Sequence, residues 1–163
     1  MNASSTRPSP SRGPAVVLYG QVHQPSRLRK YRVYDIGNRS DYFDEGLDRE
    51  VFLKVAAKSY RPGFALIRRL VREGGGSFRM ALSVSGSALE QMERWAPDLI
   101  LALQELAVTG CVDFLAETYH HSLAFVFDRE EFDLQLDAHL LGMRRLLGVV
   151  PRAFRNTELV YSD

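Results

Sequence analysis

The side chain in this sequence best placed for chemistry is a carboxylate near its end. Glu158 lies in the β-like stretch Phe154-Arg155-Asn156-Thr157-Glu158-Leu159-Val160-Tyr161. If the apolar neighbours pack inward, the carboxylate sits at the rim of a core, where desolvation and nearby groups set its proton affinity. The plainer reading is a solvated Glu at a strand end. His23-Gln24-Pro25 offers an imidazole and an amide to a polar ligand from a turn that proline stiffens. His120-His121 together with His23 invites a metal site. However, H-x-x-x-H, H-x-H and H-E-x-x-H spacings are all absent, and adjacent histidines in extended chain point opposite ways. No metal and no cofactor are therefore expected. Gly74-Gly75-Gly76 ends a helical stretch and lacks the G-K-[ST] sequel of a phosphate loop, which disfavours nucleotide binding. His139 falls on the apolar side of a helix and reads as a hydrogen-bonded residue at the core edge.

The elements that must position these groups alternate strand and helix. Nearly continuous apolar runs at 15–22, 78–84 and 111–115 read as parallel strands covered on both faces, with a fourth strand from Ala153 that holds Glu158. A long polar loop, 23–46, carries Tyr31, Tyr34, Tyr42 and Phe43, and loops of that length are uncommon unless functional or mobile. A helical region over 48–73 should break or kink at Pro62. Ser87-Ala88-Leu89-Glu90 reads as a capping box, Pro97 opens a helix to about Val108, and Asp128 caps another. That last helix places Phe132, Leu136, Leu140, Met143 and Leu147 on one stripe, and Gly148 closes it. The order βαβαβαβ gives an α/β fold with right-handed crossovers. His23, Ser83, Ser85, Glu117, His121 and Glu158 then all fall toward the carboxyl ends of the strands, where such folds bind ligands.

Composition narrows the class. The chain has 163 residues, 45% hydrophobic and 25% charged, which suits one globular domain. Its net charge of +1 comes from interleaved acids and arginines, so nucleic acid is not an expected partner. The single cysteine, Cys111, excludes an internal disulfide framework and suits a reducing, cytoplasmic compartment. Residues 1–14 are Ser, Pro and Arg with almost nothing apolar, and read as a disordered leader rather than a signal peptide. The apolar run after it is too short to span a membrane, so the reading is of a soluble chain.

Taken together, the motifs resemble glycoside hydrolase family 57, in its α-amylase-like branch. The resemblance is carried by His23-Gln24-Pro25, by Asp113-Phe114-Leu115-Ala116-Glu117-Thr118-Tyr119-His120-His121-Ser122-Leu123 and by Phe154-Arg155-Asn156-Thr157-Glu158-Leu159. Tyr31 to Gly37, Tyr42-Phe43-Asp44-Glu45 and Ser85 to Gln91 extend it over about Val16 to Asp163. It implies a seven-stranded, imperfect (β/α) barrel and retaining chemistry on α-glucans such as starch, glycogen and maltodextrin, in amylases, 4-α-glucanotransferases or branching enzymes. Glu158 then matches the nucleophile, and His23, Gln24, Glu117 and His121 match substrate-binding positions. The resemblance also implies an acid/base Asp from a later motif, which this sequence lacks. The chain is therefore expected to be the N-terminal portion of an incomplete barrel, inactive alone, with a second chain possible as its complement. The alternatives are a non-catalytic glucan-binding or defunct remnant, and a metal-dependent carbohydrate deacetylase.

Overall fold

The computed structural model describes residues 16–160. The expected leader at 1–14, and the first residue of the expected first strand, lie outside them. The described residues form an α/β fold around a three-stranded parallel sheet in the order β1 (Tyr19–Val22), β2 (Met80–Val84), β3 (Val112–Leu115). The register aligns Gln21 with Ser83 and Ser83 with Leu115, so all three strands present their carboxyl ends along one rim.

The sheet is covered on one face only, contrary to the expectation of two. Val22, Leu82, Val84, Val112 and Phe114 point into the core, with Phe52, Leu89, Met92, Leu103, Leu106 and Met143 from the helices. The alternate residues do not: Tyr19 is 42% exposed, and Gln21 and Asp113 are exposed. Period-two alternation puts polar groups on this second face, as in a sheet whose concave side lines a barrel.

Between β1 and β2 run α1 (Glu45–Val55), a π-helical turn (Ala56–Tyr60) and α2 (Arg61–Glu73). α1 starts earlier than the sequence pattern predicts because Asp44 caps it, accepting from the Leu47 N–H at 3.0 Å. Pro62 does not break the helical run. It sits in the first turn of α2, directly after the π turn, where a proline is tolerated.

After β2, the structure moves the helix cap. α3 (Gly86–Trp95) begins two residues before the predicted capping box, with Ser85 as the cap and its Oγ accepting from the Ala88 N–H at 3.3 Å. α4 (Pro97–Val108) starts at its proline as expected, and β3 follows.

A short α5 (Ala124–Phe127) leads to α6 (Arg129–Leu147), capped by Asp128 and closed by Gly148 at φ 70°. The buried line of α6 is Phe132, Gln135, His139, Met143 and Leu147. It is rotated from the predicted stripe, so Leu136 and Leu140 are only half-buried.

Among the described residues, the predicted fourth strand is not formed. A single parallel bridge, Ala116 to Phe154, lies beside β3, made by Ala116 N–H to Ala153 C=O and Arg155 N–H to Ala116 C=O, both 2.8 Å. Asn156 then turns the chain away. Its Oδ1 accepts from the Thr157 N–H at 3.0 Å, and its Nδ2 donates to the Val160 carbonyl at 2.9 Å. Glu158 therefore sits in a 3-10 turn (Thr157–Leu159) rather than a strand, with φ 52°.

Candidate active site

The site grows out of the strand ends. Ser83, which shares the second sheet face with Gln21 and is itself fully buried, donates from Oγ to Glu117 Oε1 at 2.6 Å. Glu117, just past β3, is also fully buried. Its Oε2 accepts from Nδ1 of His121 at 2.7 Å. A carboxylate taken out of water needs such partners, and the two bonds supply them. With the proton on Nδ1, the His121 Nε2 is an acceptor. The Gln21 amide donates to it, since Gln21 Nε2 lies closer to that nitrogen than to Nδ1 (2.9 against 3.3 Å).

His23 and His121 meet ring to ring across β2, with centroids 4.6 Å apart. The His23 Nδ1 is 2.8 Å from Ser85 Oγ, so the residue that caps α3 also orients this imidazole. Burial, followed by the neighbouring His121, holds His23 below the ordinary histidine range, favouring a neutral ring.

Glu158 reaches the same rim from the far side. Its Oε1 lies 3.7 Å from His121 Nε2, and its side chain is 74% exposed, so it faces open space rather than the core. Thr157 anchors the turn, because its buried Oγ1 is 3.2 Å from Thr118 Oγ1 in the loop that carries His121.

Backbone strain gathers here. Among the described residues, the non-glycine positions with positive φ are His121 at 55°, Glu158 at 52° and Leu159 at 57°. Left-handed conformation costs an L-residue about 1–2 kcal/mol, and it persists where the surroundings over-determine it.

Sequence reasoning brought His23, Ser83, Ser85, Glu117, His121 and Glu158 to one rim, and the structure places all six there. Gln24 is turned aside. It is 7% exposed, its Nε2 donates to Tyr60 Oη at 3.0 Å and its Oε1 accepts from Arg27 at 3.3 Å, while Tyr60 Oη donates to the His23 carbonyl at 3.2 Å. The amide thus braces the turn behind His23. Gln21 was missed, although its period-two spacing from His23 at the end of the first apolar run was the available signal.

The two adjacent histidines diverge: His121 joins the site, whereas His120 packs edge-on to Tyr119 and lines a neighbouring groove of about 700 Å³ with Tyr42, Phe43 and Trp95. His139 is fully buried, its Nε2 donating to the Val84 carbonyl at 2.9 Å, and burial lowers its proton affinity. Among the described residues, no group of three or more His, Cys, Asp or Glu side chains is placed to hold a metal ion. No helix among them is long and apolar enough to cross a membrane.

A parallel sheet with helices on one face, and histidines and carboxylates gathered at its carboxyl rim, is an α/β architecture with its polar groups where such folds bind ligands. The chain belongs to glycosyl hydrolase family 57, whose profile it matches over residues 17–163. It is 38% identical over 146 residues to the "Putative alpha-amylase" of Methanocaldococcus jannaschii, a match that covers 88% of this chain and 31% of that protein. Its fold is similar to that of the 4-alpha-glucanotransferase from Thermococcus litoralis, with a TM-score of 0.65, 20% identity, and 90% of this chain against 19% of that one. It is also similar to the family 57 branching enzyme from Thermococcus kodakaraensis, with a TM-score of 0.59, 15% identity, and coverage of 87% and 33%. The chain thus spans about a third or less of the length of these relatives.

Proposed function

We propose that this chain carries the nucleophile side of a retaining glycosidase or transglycosylase site for α-1,4-glucans, with Glu158 as the nucleophile. The observation that carries the reading is the approach of the Glu158 carboxylate to His121, on the rim that His23 shares. In the first step, a Glu158 oxygen bonds to the anomeric carbon as the glycosidic C–O bond breaks. The departing oxygen takes a proton from a second carboxylic acid about 5–5.5 Å from the first. In the second step, water or another sugar hydroxyl attacks that carbon, gives its proton to the same carboxylate, and releases Glu158. The acceptor decides between hydrolysis and transfer.

His23 and His121 supply hydrogen bonds to sugar hydroxyls beside the reacting carbon. The second carboxyl belongs to polypeptide beyond these residues, either a continuation of the chain or a second chain that lies against the uncovered sheet face. Family membership and the share of the relatives' length that this chain spans support that reading. A soluble, cytoplasmic protein acting on starch, glycogen or maltodextrin fits it. A metal-dependent deacetylase has less support, because the histidines here pair with a serine and a carboxylate rather than converging on one point.

An activated substrate tests this directly, because fluoride leaves without protonation by an acid. Incubation with a 5-fluoro-α-maltosyl fluoride should add one glycosyl group to Glu158, detected by peptide mass spectrometry. Glu158→Gln should reduce labelling by about 10³-fold or more while maltodextrin binding persists. Binding without labelling of the unaltered chain would instead indicate a glucan-binding protein.

A further inference from the structure

The buried chain of contacts behind the nucleophile has a role of its own. We infer that Glu117 and Ser83 do not touch sugar but hold His121 with its proton on Nδ1, so that Nε2 accepts a hydrogen bond from the substrate hydroxyl next to the anomeric carbon. This rests on Glu158 being the nucleophile. Glu117 is fully buried, so no ligand reaches it, and both its oxygens are engaged, by Ser83 at 2.6 Å and by His121 at 2.7 Å. A carboxylate only accepts, which fixes the proton of the neutral imidazole on the nitrogen facing it. The remaining lone pair, on Nε2, points to Gln21 at 2.9 Å and stands 3.7 Å from Glu158 Oε1.

A hydroxyl oxygen beside the Glu158 carboxylate can come within ordinary hydrogen-bond distance of Nε2 and give it its one proton. When Glu158 attacks an anomeric carbon, the hydroxyl nearest the nucleophile is the one on the adjoining carbon. Bonds to that hydroxyl strengthen as the oxocarbenium-like transition state forms. In the free site, the exposed Gln21 amide supplies the N–H that the hydroxyl replaces. Glu117 and Ser83 are thus positioning residues, and His121 reads one hydroxyl of the sugar.

The test compares α-maltosyl fluoride with its analogue deoxygenated at that carbon on the reducing-end ring, in the 163-residue chain and in two variants. His121→Asn keeps a residue that tolerates positive φ, and Glu117→Gln keeps shape and volume. The analogue is intrinsically more reactive, so the quantity read is the change in the rate ratio between variants. The unaltered chain should favour the hydroxylated substrate about tenfold or more over each variant's ratio. Imidazole ¹⁵N spectra should show Nδ1 protonated in the unaltered chain and Nε2 protonated in Glu117→Gln, where the amide can donate to Nδ1. An unchanged ratio in both variants, or Nε2 protonation in the unaltered chain, overturns the inference. Failure of the unaltered chain to label Glu158 with either fluoride overturns the nucleophile assignment itself, and this inference with it.

Discussion

The His23 and His121 rings lie 4.6 Å apart with their planes tilted by 32°, although they follow β1 and β3, the two strands that flank β2. Two imidazoles so close cannot both be protonated cheaply. His121 is held by a carboxylate, whereas His23 is held by a serine hydroxyl. The two rings therefore have different orienting partners, a division in which burial favours the neutral form of His23.

That division sets a pH dependence. His23 is lowered by burial and then by His121, and His139 is lowered by burial, both from an ordinary value of 6.5. Near and below pH 6.5 the unfolded chain then binds more protons than the folded one, so stability falls as the medium is acidified. The loss begins as pH drops through 6.5 and levels off below the folded-state values. Urea denaturation should give a lower midpoint at pH 5.5 than at 7.5. His23→Asn should shrink that difference, and a midpoint independent of pH over this window would contradict it.

Ser85 and Ser87 separate two accounts of where α3 begins. The sequence pattern chose Ser87, but Ser85 accepts from the Ala88 N–H and also bonds His23. Ser85→Ala should cost about 1–2 kcal/mol, the loss of a cap plus a buried hydrogen bond. Ser87→Ala should cost less than about half of that. Equal losses in chemical denaturation would restore the cap to Ser87.

Much of the arrangement was legible because it is local or periodic. Apolar runs marked the strands, Pro97 and Asp128 marked helix starts, and the strand ends brought six side chains to one rim. What escaped depends on partners distant in sequence. Glu117 looks like one more polar residue at a strand end until Ser83 reaches across from β2 to its buried carboxylate. Gln24 looks outward in a turn motif, but Tyr60 and Arg27 claim its amide. The fourth strand reads well by composition, yet Asn156 hydrogen-bonds its own neighbours and bends the chain. The uncovered sheet face could not be read from apolar runs, since Tyr19 and Leu115 look like core residues until their register is known.

Gly86 couples α3 to the histidine loop. A methyl group added there would stand 2.2 Å from Tyr119 Cδ2 and 2.4 Å from Cγ, and the backbones are already tied by the Ser87 N–H to Tyr119 carbonyl bond at 3.1 Å. Alanine favours helix over glycine by about 1 kcal/mol, but the overlap must push the Tyr119 ring out. Gly86→Ala should therefore destabilise the chain by about 1–3 kcal/mol. It should also shift the His120 and His121 imidazole resonances. A more stable variant would mean that the ring moves freely.

Thr157 is the remaining tie between the turn of Glu158 and the rest of the site. Glu158 and Leu159 both adopt positive φ, so the turn stores strain that something must hold. Leu159 is 70% exposed and contributes little packing, which leaves the buried Thr157 hydroxyl on Thr118 and the Asn156 bonds to do so. Thr157→Val preserves shape and removes only the hydroxyl, so it should cost about 1 kcal/mol globally. Its larger effect should be local, because a released turn relaxes toward negative φ and carries the Glu158 carboxylate away from His121. Labelling of Glu158 by the maltosyl fluoride should then slow about tenfold or more, in keeping with the sensitivity of attack to misplacement, while maltodextrin affinity changes much less. If labelling and affinity fell together, Thr157 would be supporting the whole rim rather than the turn of Glu158.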